Sequence, residues 1–302
     1  MSTPDVSVPG ATAPQPIEGL ACFAIDDPAS AALDELARRY NLHELQIEDC
    51  RHRVQRPKVE EHEEYLFIVL KALGANERFH DVDIFVGADF LITVHAGERE
   101  LMGRLRRRAL EGKAQRLDRL LYILTDQVVD GYMAALEHLG EEISKVESES
   151  LHRPEPPVLR YIFRLKRKLL EFRRVAGAMR EVVNAVLRKQ GGLIGDDLDH
   201  YFRDVYDHLV RMLDLAETYR DLLTGALDVY LSSVANRTNQ VMKVLTIYGT
   251  IALPLVIITG FFGMNLNLPW GEQHPHGAWY ALGVMLLSVL GVLLYLKRKK
   301  VL

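Results

Sequence analysis

Two uncharged runs near the C-terminus restrict this chain more than any other feature. Val244–Phe262 reads VLTIYGTIALPLVIITGFF and Ala278–Leu296 reads AWYALGVMLLSVLGVLLYL, with no Asp, Glu, Lys or Arg in either. As helices each is about 28 Å long, close to the roughly 30 Å hydrocarbon layer of a bilayer. The flanks set an orientation. Lys243 precedes the first run, and Lys297, Arg298, Lys299 and Lys300 follow the second, while Met264–Gly277 between them has no Lys or Arg. The positive-inside rule then predicts a two-pass protein of the cell (inner) membrane, with both termini cytoplasmic and only a short loop outside. Trp270, Trp279 and Tyr280 fall where an interfacial aromatic belt is expected.

Charge is divided unevenly. Of 41 acidic residues only Glu272 lies beyond Lys243, so the part before the spans is net acidic and the remainder net basic. Residues 1–16 hold Pro4, Pro9, Pro14 and Pro16 among small polar residues, without the apolar core of a signal peptide, and are expected to be a disordered tail. Two cysteines, Cys22 and Cys50, are too few for a disulfide framework and are expected to be reduced.

Residues 17–112 are predicted to form an α/β cytoplasmic domain. LACFAI (20–25), YLFIVLKAL (65–73), HDVDIFVG (80–87) and FLITVHA (90–96) are rich in β-branched and aromatic residues and read as strands. Ala31–Tyr40 and Leu42–Cys50 read as helices, the first entered through Asp26-Asp27-Pro28 with Ser30 as its N-cap. Residues 113–195 are expected to be helical. Leu117–Leu151 has apolar residues at three-and-four spacing, an acidic second half (Glu137, Glu141, Glu142, Glu147, Glu149), and a stop at Pro154, Pro156 and Pro157. Val158–Gln190 is a basic amphipathic helix ended by Gly191-Gly192 and is expected to pair with the acidic one; its charges alternate with apolar positions, so it does not point to nucleic acid.

The next helical pattern begins near Asp196 and meets no Pro or paired Gly until Pro254. Residues 196–262 are therefore expected to form one stalk helix of about 100 Å that runs into the first span. A lone helix of that length is unstable in water, so copies of the chain are expected to bundle. One stripe suits the bundle axis: Asp228, Leu231, Ala235, Asn239, Met242, Leu245, Gly249, Leu253, Val256 and Gly260 recur at spacings of three and four. In a symmetric oligomer Asp228 becomes an acidic ring, Asn239 a polar ring, and Met242 and Leu245 apolar collars. Gly249 and Gly260 become points of wide bore or close approach. Carboxylate rings attract cations and apolar constrictions gate by excluding water. Gly263-Met264-Asn265 closes the first span; alone, a Gly and an Asn there also suit an ordinary helix cap.

These residues together resemble the CorA family of divalent-cation channels, whose hallmark is Gly-Met-Asn ending the first of two C-terminal spans. The likeness extends to Tyr201–His208 (YFRDVYDH), Asp228–Ser233 (DVYLSS), Met242–Thr246 (MKVLT), Arg56–Glu60 (RPKVE), Tyr65–Lys71 (YLFIVLK) and the terminal Lys297–Lys300 run. It implies a funnel-shaped homopentamer with a central pore, an α+β cytoplasmic domain followed by long helices, and two C-terminal transmembrane helices. It further implies Gly263, Met264 and Asn265 as selectivity filter, with Asn265 the outer ring. Asp228 would be the inner ring and Met242 with Leu245 the gate, with Leu231, Asn239, Gly249, Leu253 and Val256 lining the pore. Mg²⁺ would be the ion carried, with Co²⁺ or Ni²⁺ carried as well, and Mg²⁺ would also be the ion that closes the pore between subunits. Asp204 is the candidate on one side of that regulatory site, and Glu64 with Glu63 on the other.

The family often carries an acidic segment after the Asn. Here the loop 263–277 runs Leu266-Asn267-Leu268-Pro269-Trp270-Gly271-Glu272, leaving Glu272 as its one acid. His274 and His276 in the same loop raise the alternative of a zinc transporter resembling the ZntB branch, since imidazole suits zinc. An enzyme is not expected: no nucleotide loop, nucleophile triad or Cys/His metal cluster is present, and no organic cofactor is implied. The expected partners are copies of the chain, divalent cations and the lipid bilayer. Residues 278–296 form the second span and 297–302 a basic tail.

Overall fold

The computed structural model describes residues 21–52, 55–74, 77–96, 103, 116–188, 192–264 and 276–298. The expected tail 1–16, the loop residues 265–275 and the end of the basic tail lie outside the described residues. The chain divides into two compact units, 1–149 with 155–227, and 150–154 with 228–302.

The first unit opens with β1 (Ala21–Ile25), α1 (Ala31–Arg39), α2 (Glu44–Arg51), β2 (Lys58–Glu61), β3 (Tyr65–Leu73), β4 (Phe79–Gly87) and β5 (Phe90–His95). The strands form one sheet in the order β1-β5-β4-β3-β2, with β1 parallel to β5 and the other pairs antiparallel. Alternation along β3 sends Tyr65, Phe67 and Val69 to a core shared with Leu33 and Leu36 of α1, Ile47 of α2, and Phe85, Phe90 and Ile92. The intervening Leu66, Ile68 and Leu70 are also buried. Both faces are therefore covered, which is why the strands read as continuous apolar runs. The sequence reading missed β2, whose Lys58-Val59-Glu60-Glu61 lacks an apolar run because it is an edge strand paired only with β3.

Ser30 is the N-cap of α1 but its side chain makes no capping hydrogen bond, contrary to expectation. The Asp27 carboxylate accepts from the Ala29 amide instead, at 2.9 Å, and sets the turn. His43 caps α2, its Nδ1 accepting from the Leu45 amide. The His43 amide in turn donates to the Tyr65 hydroxyl, which donates to Gln46 at 2.7 Å, tying α2 to the sheet.

Three long helices follow: α3 (Leu117–His152), α4 (Pro156–Arg188) and α5 (Asp199–Phe262). Their apolar stripes meet, with Leu124, Val128, Leu136 and Ile143 of α3, Ile162, Leu165, Leu169 and Phe172 of α4, and Phe202, Val205, Leu209 and Met212 of α5 all buried. Gly140 allows a close crossing, because a Cβ there would collide with the Tyr219 ring. Tyr132 is fully buried, donates its hydroxyl to the Lys71 carbonyl and meets Phe79 and Phe172 edge-on, joining helices to sheet. The expected pairing of basic α4 with acidic α3 is narrower than its charge count suggests. Among the described residues it runs through Glu142, which accepts from Tyr161 at 2.6 Å and Lys168 at 3.4 Å. That bond to Glu142 pushes the Tyr161 pKa up to about 12. Lys168 also reaches Glu77 in the β3–β4 turn at 2.7 Å and holds that carboxyl below its ordinary range.

Beneath α2 the sheet holds an ion pair between Lys71 of β3 and Asp81, its cross-strand neighbour on β4; Asp81 is 8% exposed. Removing one member of a buried pair strands the other charge. Lys71→Met is expected to cost about 3–5 kcal/mol, and Lys71→Met with Asp81→Leu to recover most of it, measured as thermal unfolding by circular dichroism of the full chain in detergent.

Candidate metal-ion pathway

The second unit contains α5 from Asp228 onward and α6 (Gly277–Arg298). Both are long and apolar enough to cross a membrane. Up to Tyr230 α5 carries a buried stripe, and from Leu231 to Phe262 it has no buried residue. Within that segment the partial cover is patterned. Ile247, Thr250, Ile251, Pro254, Leu255, Ile258 and Phe262 are half-buried, at the three-and-four spacing of one helix face. On α6 the covered positions are Ala281, Met285, Ser288, Val289, Val292 and Leu296, again one face.

Every member of the sequence-derived stripe is exposed: Asp228, Leu231, Ala235, Asn239, Met242, Leu245, Gly249, Leu253, Val256 and Gly260. Met242 is 54% exposed and Leu245 63%. At about 100° per residue, Gly249, Leu253, Val256 and Gly260 lie roughly opposite Ile247, Ile251, Pro254 and Ile258. A single chain therefore covers one side of the span and leaves the glycine-bearing side open. Thr250 and Thr259 place no demand on a partner, since Thr250 donates to the Thr246 carbonyl at 2.7 Å and Thr259 to the Leu255 carbonyl at 2.9 Å. That satisfies their hydroxyls within the helix, as an apolar setting requires.

The helix closes tightly. The Gly263 amide donates to the Thr259 carbonyl at 2.9 Å and the Met264 amide to Phe261 at 3.3 Å. A Cβ on Gly263 would stand 3.1 Å from the Thr259 carbonyl, tighter than side chains normally accept. A larger residue at this position requires the helix end to give by a few tenths of an ångström. Asn265 and Glu272 lie outside the described residues, as does His274.

The proposed regulatory carboxylates belong to the first unit. Asp204, in the first unit, is 64% exposed at its side chain and lies 3.7 Å from His208 one turn on. Glu63 and Glu64 are exposed in the turn between β2 and β3. Among the described residues no group of three or more His, Cys, Asp or Glu is placed to hold a metal ion within one chain. Sequence reasoning missed a different carboxylate pair: Lys58 bridges Asp49 at 2.6 Å and Glu60 at 2.5 Å. The alternation Lys58-Val59-Glu60 would have shown it had β2 been recognised.

A five-stranded sheet packed with helices, together with two helices long and apolar enough to span a bilayer, defines a two-span membrane protein with an α/β soluble domain. The chain belongs to the CorA-like Mg2+ transporter protein family, whose model matches residues 19–298. It is 38% identical over 275 residues to the cobalt/magnesium transport protein CorA of Thermotoga maritima, covering 86% of this chain and 77% of that one. The complete structure of the CorA magnesium transporter from Methanocaldococcus jannaschii superposes with a TM-score of 0.80 at 26% identity, over 92% of this chain and 90% of the other. The ZntB cytoplasmic domain from Vibrio parahaemolyticus shares the fold of the soluble part, with a TM-score of 0.61 at 12% identity over 72% of this chain and 88% of that one.

The two faces of α5 make different predictions for introduced cysteines. Burial pushes the Cys22 thiol up to about 12 and the Cys50 thiol higher still, so neither native thiol competes for reagent at neutral pH. Cysteines at Asn239, Leu245, Gly249 and Leu253 are expected to react with a water-soluble methanethiosulfonate in liposomes, and cysteines at Ile251, Leu255 and Ile258 to stay unmodified. Equal labelling of both sets, read by mass spectrometry, contradicts the assignment.

Proposed function

We propose that this protein is a gated, channel-type transporter for divalent cations, chiefly Mg²⁺, with Co²⁺ and Ni²⁺ as further cargo, working as a homopentamer with both termini in the cytoplasm. The observation that carries this is the uncovered stripe from Asp228 to Gly260, running without a break into a membrane span of a CorA-family chain. A polar and glycine-bearing face is costly against lipid but serves as the wall of a water-filled path.

Along that path Asn265, with Gly263 and Met264, forms the outer filter. Mg²⁺ sheds water reluctantly, so a ring of neutral amide oxygens suits the hydrated ion. Glu272 supplies the one carboxylate for capture outside. Met242 and Leu245 form the apolar gate, Asn239 a polar ring below it, and Asp228 the inner ring that draws cations through. Leu231, Gly249, Leu253 and Val256 line the remainder. The resemblance to the family assigns closure by Mg²⁺ to a site between copies, with Asp204 on one side and Glu63 and Glu64 on the other.

Mg²⁺ flux into proteoliposomes, followed by a trapped dye, tests the pore and its filter together. The wild type is expected to conduct Mg²⁺, and Asn265→Ala to lose the flux or its selectivity. Zn²⁺ uptake without Mg²⁺ flux overturns the reading in favour of zinc transport. A second expectation concerns closure. Asp204→Asn, or Glu63→Gln with Glu64→Gln, should raise the internal Mg²⁺ needed to halve the flux by roughly tenfold, the equivalent of about 1.4 kcal/mol. An unchanged inhibition curve removes the altered residues from the regulatory site.

A further inference from the structure

We propose that the second unit holds a docking site for the phosphate of an anionic phospholipid, in the cleft between Pro154 and α5. The cleft has a volume of about 280 Å³ and is lined by Pro154, Val234, Arg237, Thr238 and Val241. Thr238 donates its hydroxyl to the Val234 carbonyl at 3.0 Å. Arg237 is therefore the lining residue with hydrogen-bond donors to offer a ligand. No carboxylate lies in the lining, and from Val229 to Gly271 the sequence contains no acid, so none on the neighbouring turns of α5 neutralises the guanidinium. Its planar fork matches two phosphate oxygens, which a lysine ammonium does not reproduce.

Depth along the helix favours a lipid as the source of that phosphate. Val241 lies three residues and Arg237 seven before the charge-free run that starts at Val244, about 4.5 and 10 Å along the axis. The headgroup layer is roughly 5–7 Å thick on each side of the hydrocarbon. Val241, 61% exposed, thus falls in the headgroup layer, and Arg237, one turn further from the hydrocarbon, stands within a few Å of that layer's aqueous edge. The turn that supplies Pro154 repeats the combination, with Leu151 61% exposed and Arg153 exposed. Glu149 and Glu155 bracket that turn in sequence, so the attraction for an anion is assigned to Arg237 rather than to the turn as a whole. Lys243, Lys297 and Arg298 add further positive charge to the ends of the two spans on the same side.

The inference rests on the two-span orientation and not on conduction, so it is tested without flux. The full-length protein in detergent is titrated with phosphatidylglycerol, with phosphatidylcholine of the same chains, and with inorganic phosphate, and adducts are counted by native mass spectrometry. Phosphatidylglycerol is expected to be retained per chain in preference to phosphatidylcholine. Arg237→Gln should weaken it roughly tenfold, Arg237→Lys less, and Arg180→Gln, at an arginine already paired with Glu181, not at all. Equal retention by the wild type and Arg237→Gln overturns the proposal. Displacement of the lipid by millimolar phosphate does so too, assigning the cleft to a free anion. So does a changed oligomer mass in Arg237→Gln at unaltered lipid occupancy, which assigns the cleft to a second copy.

Discussion

The structure depends on how the surface of one helix is covered. α5 is 64 residues long, about 96 Å, and its two parts have opposite needs. From Phe202 to Ala226 it buries a regular apolar stripe within the first unit. From Leu231 to Phe262 nothing among the described residues fully buries a position of it. Apolar side chains exposed at that density are not stable in water. An apolar helix surface of this kind suits a lipid bilayer, in keeping with a two-span membrane protein of the CorA family.

Charge placement follows the same division. The acids are concentrated before Lys243 and take part in structural pairs such as Arg173 with Glu217 at 2.6 Å, Lys168 with Glu77 and Lys58 with Asp49. These pairs are at least partly exposed, so each contributes modestly to stability and mainly fixes which helix lies on which. The membrane-proximal segment carries positive charge at its ends and none within its spans. Asp228 is the last acid before the first span and begins the exposed stripe. A carboxylate there is expensive for a buried interface and useful for a cation path.

Glycine meets three different surroundings along these helices. Gly140 lets the Tyr219 ring cross α3, a matter of packing. Gly263 fits where the chain turns close against the Thr259 carbonyl at the end of α5. Gly249 and Gly260 have open space around them among the described residues. The same residue type in one sequence pattern thus carries different physics at different positions.

The sequence by itself determined the elements whose signal is local. The two apolar runs announced the spans, the absence of breakers before Pro254 announced a continuous helix, and β-branched runs announced the strands buried on both faces. Gly263-Met264-Asn265 marked the end of the first span. Tertiary structure decided what depends on neighbours distant in sequence. It made Lys58–Glu61 an edge strand because β3 offered a free ladder. It used Asp27 rather than Ser30 to set the entry to α1. It spent Glu142, and not the rest of its acidic helix, on bonds to Tyr161 and Lys168. It also separated the two faces of the first span, one partly covered and one open, and set Arg237 in a cleft with Pro154 from another turn of the chain. Periodicity reports which residues share a helix face, whereas which face is covered depends on where the rest of the chain packs.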